Sequence, residues 1–216
     1  IGRLILYIWI STIVAVVLFK FVPVYFTPTM ASRKIDALMD GEPSKIHSQW
    51  TSYEEIDRNC PLAVIASEDQ LFPEHHGFDF VAMQLAMKNN QKGKKIKGGS
   101  TISQQTAKNV FLWQGRSYIR KGFEAYFTVL IEIIWGKERI MEVYLNSIEM
   151  GNGIYGAQAA TEYWYRKEAT SLTPREAAGI AAILPNPRKY KATNSSSYIN
   201  RRKDRIVRVM RHIGTI

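Results

Sequence analysis

A pair of carboxylates, Glu68 and Asp69, stands where an apolar run (LAVIA, 62–66) gives way to Phe72, His75 and His76. Taking a carboxyl group out of water makes it harder to ionise and lifts its pKa toward neutrality, which suits a general acid or base. The plainer alternative is that the two acids cap the next helix. The second stretch is GGSTISQQTAKN (98–109). Its glycines expose the backbone, Ser100, Thr101, Gln104 and Gln105 offer hydrogen bonds, and Lys108 offers a charge. After a basic loop, such a segment can cradle phosphates at a helix N-terminus; its Ser and Thr can equally serve only as helix caps. No G-K-[ST] closes it, which argues against nucleotide hydrolysis. The third stretch is RKGFE (120–124). Arg120 and Glu124 lie four apart on one helical face, which on a wet surface is an ion pair worth only about 0.3–0.5 kcal/mol. The apolar neighbours Phe123, Tyr126, Phe127, Leu130 and Ile131 would partly desolvate Glu124 and make the pair matter more.

Composition narrows what these residues can serve. The 216 residues carry 29 Lys+Arg against 19 Asp+Glu, a net charge of +10, and 46% are hydrophobic. That balance gives a globular domain with an appendage and excludes a disordered chain. Cys60 is the only cysteine, so no internal disulfide framework or multi-cysteine zinc site is available. His47, His75, His76 and His212 offer no spacing that suits a metal. The positive charge is concentrated. Nine Lys/Arg and no acid fall between Phe80 and Phe123, and nine Lys/Arg with only Asp204 opposing them fall between Ala177 and Ile216. Such blocks are often just a solvated face, but on a membrane-anchored domain they attract anionic headgroups or a phosphorylated ligand. No nucleic-acid partner is expected, because no recognition motif is present.

The elements that must position these residues are mostly helices. Ser52 with Glu55, and Thr173 with Glu176 and Pro174, are capping boxes that open helices at Tyr53 and Pro174. Residues 62–69 read equally as a buried strand or a buried helix. Helices are expected over 79–90 and from about Ser117 to Trp135. The spacing of Ile199, Ile206, Val209, Met210 and Ile213 predicts an amphipathic C-terminal helix with a basic outer face. Residues 29–47 read as linker with a short helix, 91–99 as a basic loop, and no stretch alternates as a strand would. The fold class expected is mainly α.

From Leu4 to Val22 sixteen of nineteen residues are apolar. As a helix they span roughly 28 Å, close to the hydrocarbon thickness of a bilayer. Lys20 is placed to snorkel, and Pro23 and Pro28 end the helix where it leaves the lipid. A cleaved signal peptide would have a shorter apolar region and a small-residue cleavage site, so a transmembrane anchor over residues 1–26 is expected. Orientation does not follow from the few flanking charges.

Five motifs occur in order: E-D-x-x-F-x-x-H-x-G-F-D (68–79), G-G-S-T-I-x-Q-Q-x-x-K-N (98–109), R-K-x-x-E-A (120–125), K-x-R-I-x-E-x-Y-L-N (137–146) and G-x-G-I-Y-G-A (151–157). With them the chain resembles the peptidoglycan glycosyltransferase family, the domain shared by monofunctional biosynthetic transglycosylases and class A penicillin-binding proteins. The resemblance covers residues 62–187, and no transpeptidase domain fits in the rest. It implies a lysozyme-like helical lobe with a smaller membrane-associated lobe, a linker over 27–51 and a glycosyltransferase domain over 52–216. It also implies a single-pass protein of the bacterial inner membrane with its domain in the periplasm, acting on lipid II and the nascent glycan chain, inhibited by moenomycin, and meeting membrane lipid together with penicillin-binding and cell-division proteins.

Carried over residue by residue, Glu68 is the general base. Glu124 is a second catalytic glutamate that organises the donor pyrophosphate, its basic partners or a divalent cation (Mg2+ or Mn2+). No organic cofactor is implied. Asp69, Phe72, His75, Gly99, Ser100, Thr101, Gln104, Gln105 and Asn109 match the first two motifs as substrate-binding positions, and Arg139, Tyr144 and Asn146 match the fourth. Lys108, Arg116, Arg120, Lys121 and Lys137 are the candidates for the pyrophosphate oxygens, because a good leaving group needs positive charge more than a second acid. Phe111, Leu112, Trp113, Tyr118 and Ile119 read either as dipping into the membrane interface or as ordinary core. Two rivals differ in class. A wall hydrolase or lytic transglycosylase would share the lysozyme-like fold and a single glutamate; a hydrolase would want two carboxylates and a water path and has no use for the basic GGST and RKxxE segments. A silent membrane scaffold would not need Glu68.

Overall fold

The computed structural model describes residues 2–41, 46–91, 99–115 and 117–213. Arg116 and most of the basic loop (92–98) lie outside the described residues. The apolar N-terminal segment winds into α1 (Gly2–Phe21), long and apolar enough to cross a membrane. Its C-terminal half is docked on the domain. Val16 is fully buried, Phe19 meets Phe111 at 6.0 Å between ring centroids, and Thr12 Oγ1 lies 2.8 Å from the hydroxyl of Tyr126. Trp135 Nε1 donates to the Val16 carbonyl at 2.7 Å. Arg139 donates to the carbonyls of Phe19 and Val22 at 2.8 and 2.7 Å, satisfying groups that a helix end leaves open. The region read as linker carries α2 (Pro28–Met39), which starts at an N-cap Thr27 followed by proline and packs on α5 through buried Met30.

The remaining helices are α3 (Asn59–Glu68), α4 (Phe80–Gln91), α5 (Ile102–Phe111), α6 (Tyr118–Ile134), α7 (Lys137–Ser147), α8 (Ala157–Tyr165), α9 (Pro174–Ile183) and α10 (Ser197–Ile213). The ambiguous run at 62–69 is helix. Cys60, Ala63, Val64, Ile65 and Ala66 are buried on several sides of α3 because it sits against α9 and α10, and a helix covered all round loses its amphipathic period. On the other side α5 packs against α6 and α7. Ile65, Ile102, Ile131, Ile140, Tyr144, Ile180 and Ile183 are the fully buried centre. The Thr173 capping box and Pro174 open α9 as expected, whereas the Ser52 box opens only a single 3-10 turn, Tyr53–Glu55.

A small sheet was not legible in the sequence. β1 (His47–Ser48), β2 (Glu149–Gly151) and β3 (Ile154–Tyr155) lie in the order β1-β3-β2, with β1 parallel and β2 antiparallel to β3. Strands of two or three residues are too short to show alternation. Asn146 ties this corner to the domain, accepting from Thr51 N and donating to Thr51 O, both at 2.9 Å.

Candidate active site

Glu68 is the last residue of α3, where the helix stops against α5 and opens onto a cavity of about 430 Å³ lined by Glu68, Asp79, Leu85, Asn89, Ser100 and Thr101 among others. Gln105 Nε2 donates to Glu68 Oε2 at 3.3 Å, and Ser67 Oγ lies 3.1 Å from Oε1. Burial pushes the Glu68 carboxyl above the usual carboxylate range. The hydrogen bonds of Gln105 and Ser67 and the charge of Arg202 work against that, and Asp69 adds to it. A carboxyl tuned in this way is what a general base near neutral pH requires.

Asp69 has a different part. It does cap a helix, but the cap is on α5: Asp69 Oδ2 accepts from Ile102 N at 2.9 Å, and His75 Nε2 lies 2.9 Å from both carboxylate oxygens. Gly77 N donates to His75 Nδ1 at 3.1 Å, which leaves the ring proton on Nε2, facing Asp69. Gly77 sits at φ +89, and a Cβ there would meet Thr128 Cγ2 at 2.8 Å, so only glycine fits this turn. Thr101 and Gln104 form a reciprocal capping box on α5, and Thr101 Oγ1 donates to the Gly77 carbonyl at 2.7 Å. Asp69, His75, Thr101 and Gln104 are therefore spent on one another. With Asp69 and Thr101 already holding its first amides, the N-terminus of α5 is not an open phosphate cradle. Phe72 is buried, edge-on to His75 and under Lys137 Nζ at 4.7 Å. Gly99 lets α4 approach, since a Cβ would meet Ala86 Cβ at 3.3 Å.

Gln105 joins the two halves of the site. Besides Glu68, its amide nitrogen lies 3.5 Å from the Ser100 carbonyl, and its Oε1 accepts from the hydroxyl of buried Tyr144 at 3.4 Å. Ser100 Oγ lies 3.5 Å from Lys121 Nζ. Lys121 and Arg120 both bind Glu124, Arg120 Nη1 at 2.9 Å. Glu124 is only 3% exposed, so this is a buried carboxylate held by a largely buried Arg120 and a partly exposed Lys121, and not the surface pair that its spacing alone would give. Arg120 Nε is buried with no partner. Lys108 completes the group. Burial pulls its pKa below the usual lysine value, Arg120 and Lys121 pull the same way, and Glu124 opposes them.

Four predicted binding residues have partners elsewhere in the fold. Lys137 Nζ is bound to Glu132 Oε1 at 2.7 Å and to the His75 carbonyl at 2.5 Å. Arg139 clamps the end of α1 and pairs with Glu142, which also accepts from Tyr53 N at 3.2 Å. Asn146 holds Thr51, as above. Asn109 is buried, and its carbonyl accepts from Thr29 Oγ1 at 3.2 Å. Among the described residues no group of three or more His, Cys, Asp or Glu is placed to hold a metal ion. Both oxygens of Glu124 are taken by Arg120 and Lys121, so the residues present do not make a metal cage. Phe111 stacks on Phe127 at 4.5 Å and Leu112 is buried, so both are core, while Trp113, Tyr118 and Ile119 are exposed.

One residue near Glu68 escaped the sequence reading. Arg202 on α10 donates from Nη2 to Ser67 Oγ at 3.1 Å, across 135 positions of sequence. Its only signal was membership of the second basic block, which does not distinguish one arginine from its neighbours.

The Transglycosylase family model matches residues 34–211. A biosynthetic peptidoglycan transglycosylase of Bacteroides thetaiotaomicron is 52% identical over 208 residues, covering 96% of this chain and 84% of the relative. Proteins of the same name from Pseudomonas savastanoi pv. phaseolicola and Chromohalobacter salexigens are 48% and 49% identical. Those alignments cover 94% of this chain and 86% and 87% of the two relatives.

Proposed function

The chain belongs to the transglycosylase family, and from that premise we propose that it is a peptidoglycan glycosyltransferase that polymerises lipid II into β-1,4-linked glycan strands. In the reaction the 4-hydroxyl of the acceptor's GlcNAc attacks the anomeric carbon of the donor's MurNAc. The new C–O bond forms as the bond to the lipid pyrophosphate breaks, with inversion. Glu68 takes the hydroxyl proton, and undecaprenyl pyrophosphate leaves with the bonding electron pair.

The observation that supports this best is the unbroken polar path from Glu68 through Gln105 and Ser100 to Lys121, Arg120 and Glu124. It puts a poised base at one end and concentrated positive charge at the other, the two things an inverting displacement of pyrophosphate needs. Lys108, Arg120 and Lys121 hold the leaving oxygens, and Glu124 keeps Arg120 and Lys121 in place. Arg116 is the fourth proposed cation. No step is assigned to a metal, since Glu124 is already committed. A hydrolase would need a second carboxylate placed across the sugar bond. Asp69, the nearest acid in sequence, is instead bound by Ile102 N and His75.

The anchor α1 keeps the domain at the membrane surface where a lipid-linked substrate is confined, which raises its effective concentration. We place the domain on the periplasmic side of the inner membrane, with wall-synthesis proteins as partners, on the resemblance of the motifs. The test is incubation of the purified protein with labelled lipid II in detergent, with and without moenomycin. Lysozyme-sensitive polymer that moenomycin suppresses is expected. Shortening of preformed glycan with no polymer would overturn the reading.

A further inference from the structure

Burial pushes the Glu68 carboxyl up, against the ionised form that a general base needs, so the groups that favour the anion matter. The groups that face its carboxylate can be taken element by element. On α3 itself they are Ser67 and Asp69, on α5 Gln105, on α7 the buried hydroxyl of Tyr144, and on α10 Arg202. α9 contributes only the Ala181 carbonyl, 3.2 Å from Ser67 Oγ. Asp69 and Tyr144 disfavour the anion, and Gln105 is neutral. Among the described residues Arg202 is the one cation that favours the anion, and it reaches the base through Ser67: Nη2 donates to Ser67 Oγ, which lies 3.1 Å from Glu68 Oε1. Arg202 forms no ion pair among the described residues, and its Nε is buried without a partner.

We infer that Arg202 is a positioning residue for the general base, acting through Ser67 to orient the Glu68 carboxylate and hold it ionised. The bond from Arg202 occupies a lone pair of Ser67 Oγ, and the single Ser67 O–H is shared between Glu68 Oε1 at 3.1 Å and the Ala181 carbonyl at 3.2 Å. The guanidinium cannot lose its proton in the working range, so its support of the anion does not fade with pH. The inference rests on Glu68 being the base of the glycosyl transfer proposed above.

The experiment is the pH dependence of kcat/KM for lipid II polymerisation by the full chain in detergent, for the wild type, Arg202→Gln, Arg202→Lys, Ser67→Ala and the Ser67→Ala/Arg202→Gln double variant. The acid limb reports ionisation of the base in the free enzyme. Removing a cation raises the carboxyl pKa, so the limb of Arg202→Gln moves to higher pH. The rate falls about threefold or more on the acid side and recovers at alkaline pH. Arg202→Lys restores part of the shift. Ser67→Ala moves the limb the same way, and the double variant moves it less than the sum of the two singles, because they share one path. An acid limb unmoved in Arg202→Gln with a raised KM makes Arg202 a substrate contact and overturns the inference. Equal loss at every pH with a lowered melting temperature makes it a packing residue, with the same consequence. If Arg202→Gln fails to fold, an unmoved limb in Ser67→Ala overturns it alone. Absence of polymer from the wild type would instead strike at the glycosyl-transfer reading itself.

Discussion

The two glutamates of this site illustrate how environment assigns work to one residue type. Glu68 has hydrogen bonds but no ion pair, and its carboxyl is pushed up; Glu124 has both oxygens on cations and serves as their brace. The folded state therefore holds the Glu68 proton to higher pH than the unfolded chain does. That contribution to stability is present while the group is protonated and is lost as pH rises through the folded pKa. Glu68→Gln escapes this loss, so its melting temperature relative to the wild type is expected to rise from acidic to neutral pH, followed by calorimetry in detergent. A constant difference would mean the carboxyl is not held up by burial. Lys108 gives the complementary prediction on the alkaline side. It must be protonated to hold phosphate oxygens, and its lowered pKa neutralises it earlier than an ordinary lysine. Lys108→Arg is expected to extend the alkaline limb of kcat/KM to higher pH, because arginine stays charged. Both glutamates, Gln105 and the basic residues were legible in the sequence as types in a spacing. What they touch was not. Asp69, His75 and Thr101 bind one another and the start of α5, a role that their types and spacing do not reveal, while Asp69 and Thr101 also line the cavity. Arg202 was invisible because only the tertiary fold brings α10 to Ser67.

At the scale of elements, the site depends on where α5 begins. Thr101 caps it, Asp69 holds its first amide, and Gly77 supplies both a carbonyl and the room for Thr128. Thr101→Val removes the cap and one buried hydrogen bond. It should cost about 1–2 kcal/mol of stability and also slow polymerisation, since Gln105 lies one turn further along the same helix. Thermal melts and a rate measured well below the melting point separate the two effects. The long helices, the Thr173 cap and the basic C-terminal helix followed from local pattern. Residues 62–69 could not be decided locally, because burial by α9 and α10 erases the period that separates helix from strand. The sheet joining residues 47–48 to 149–155 escaped for the opposite reason, being too short to carry a pattern.

For the whole molecule, the anchor is part of the domain's surface. Trp135 and Arg139 bind backbone carbonyls in the last turns of α1, and Phe19 packs on Phe111. The apolar character of α1 was plain in the sequence, but this docking was not, since it joins residues from 92 to 120 positions apart. Arg139→Ala breaks charge-assisted bonds worth about 1.5–3 kcal/mol each at most. It is expected to speed hydrogen exchange across 16–22 while leaving α3 and α9 protected. Unchanged exchange there would mean α1 is held by its apolar contacts and the Trp135 and Tyr126 hydrogen bonds without Arg139. Of the residues read as either interface or core, Trp113, Tyr118 and Ile119 are exposed, whereas Phe111 and Leu112 pack with the core. Base, cationic cluster and anchor together make one account: a membrane-held enzyme that builds a glycan from a lipid pyrophosphate. The most direct test sets the wild type beside Glu68→Gln on labelled lipid II, with products resolved on a gel and then digested with lysozyme. A ladder of lysozyme-sensitive polymer from the wild type, reduced about a hundredfold or more in the variant, is the result predicted. Equal polymer from both proteins would remove Glu68 from the chemistry and contradict the account at its centre.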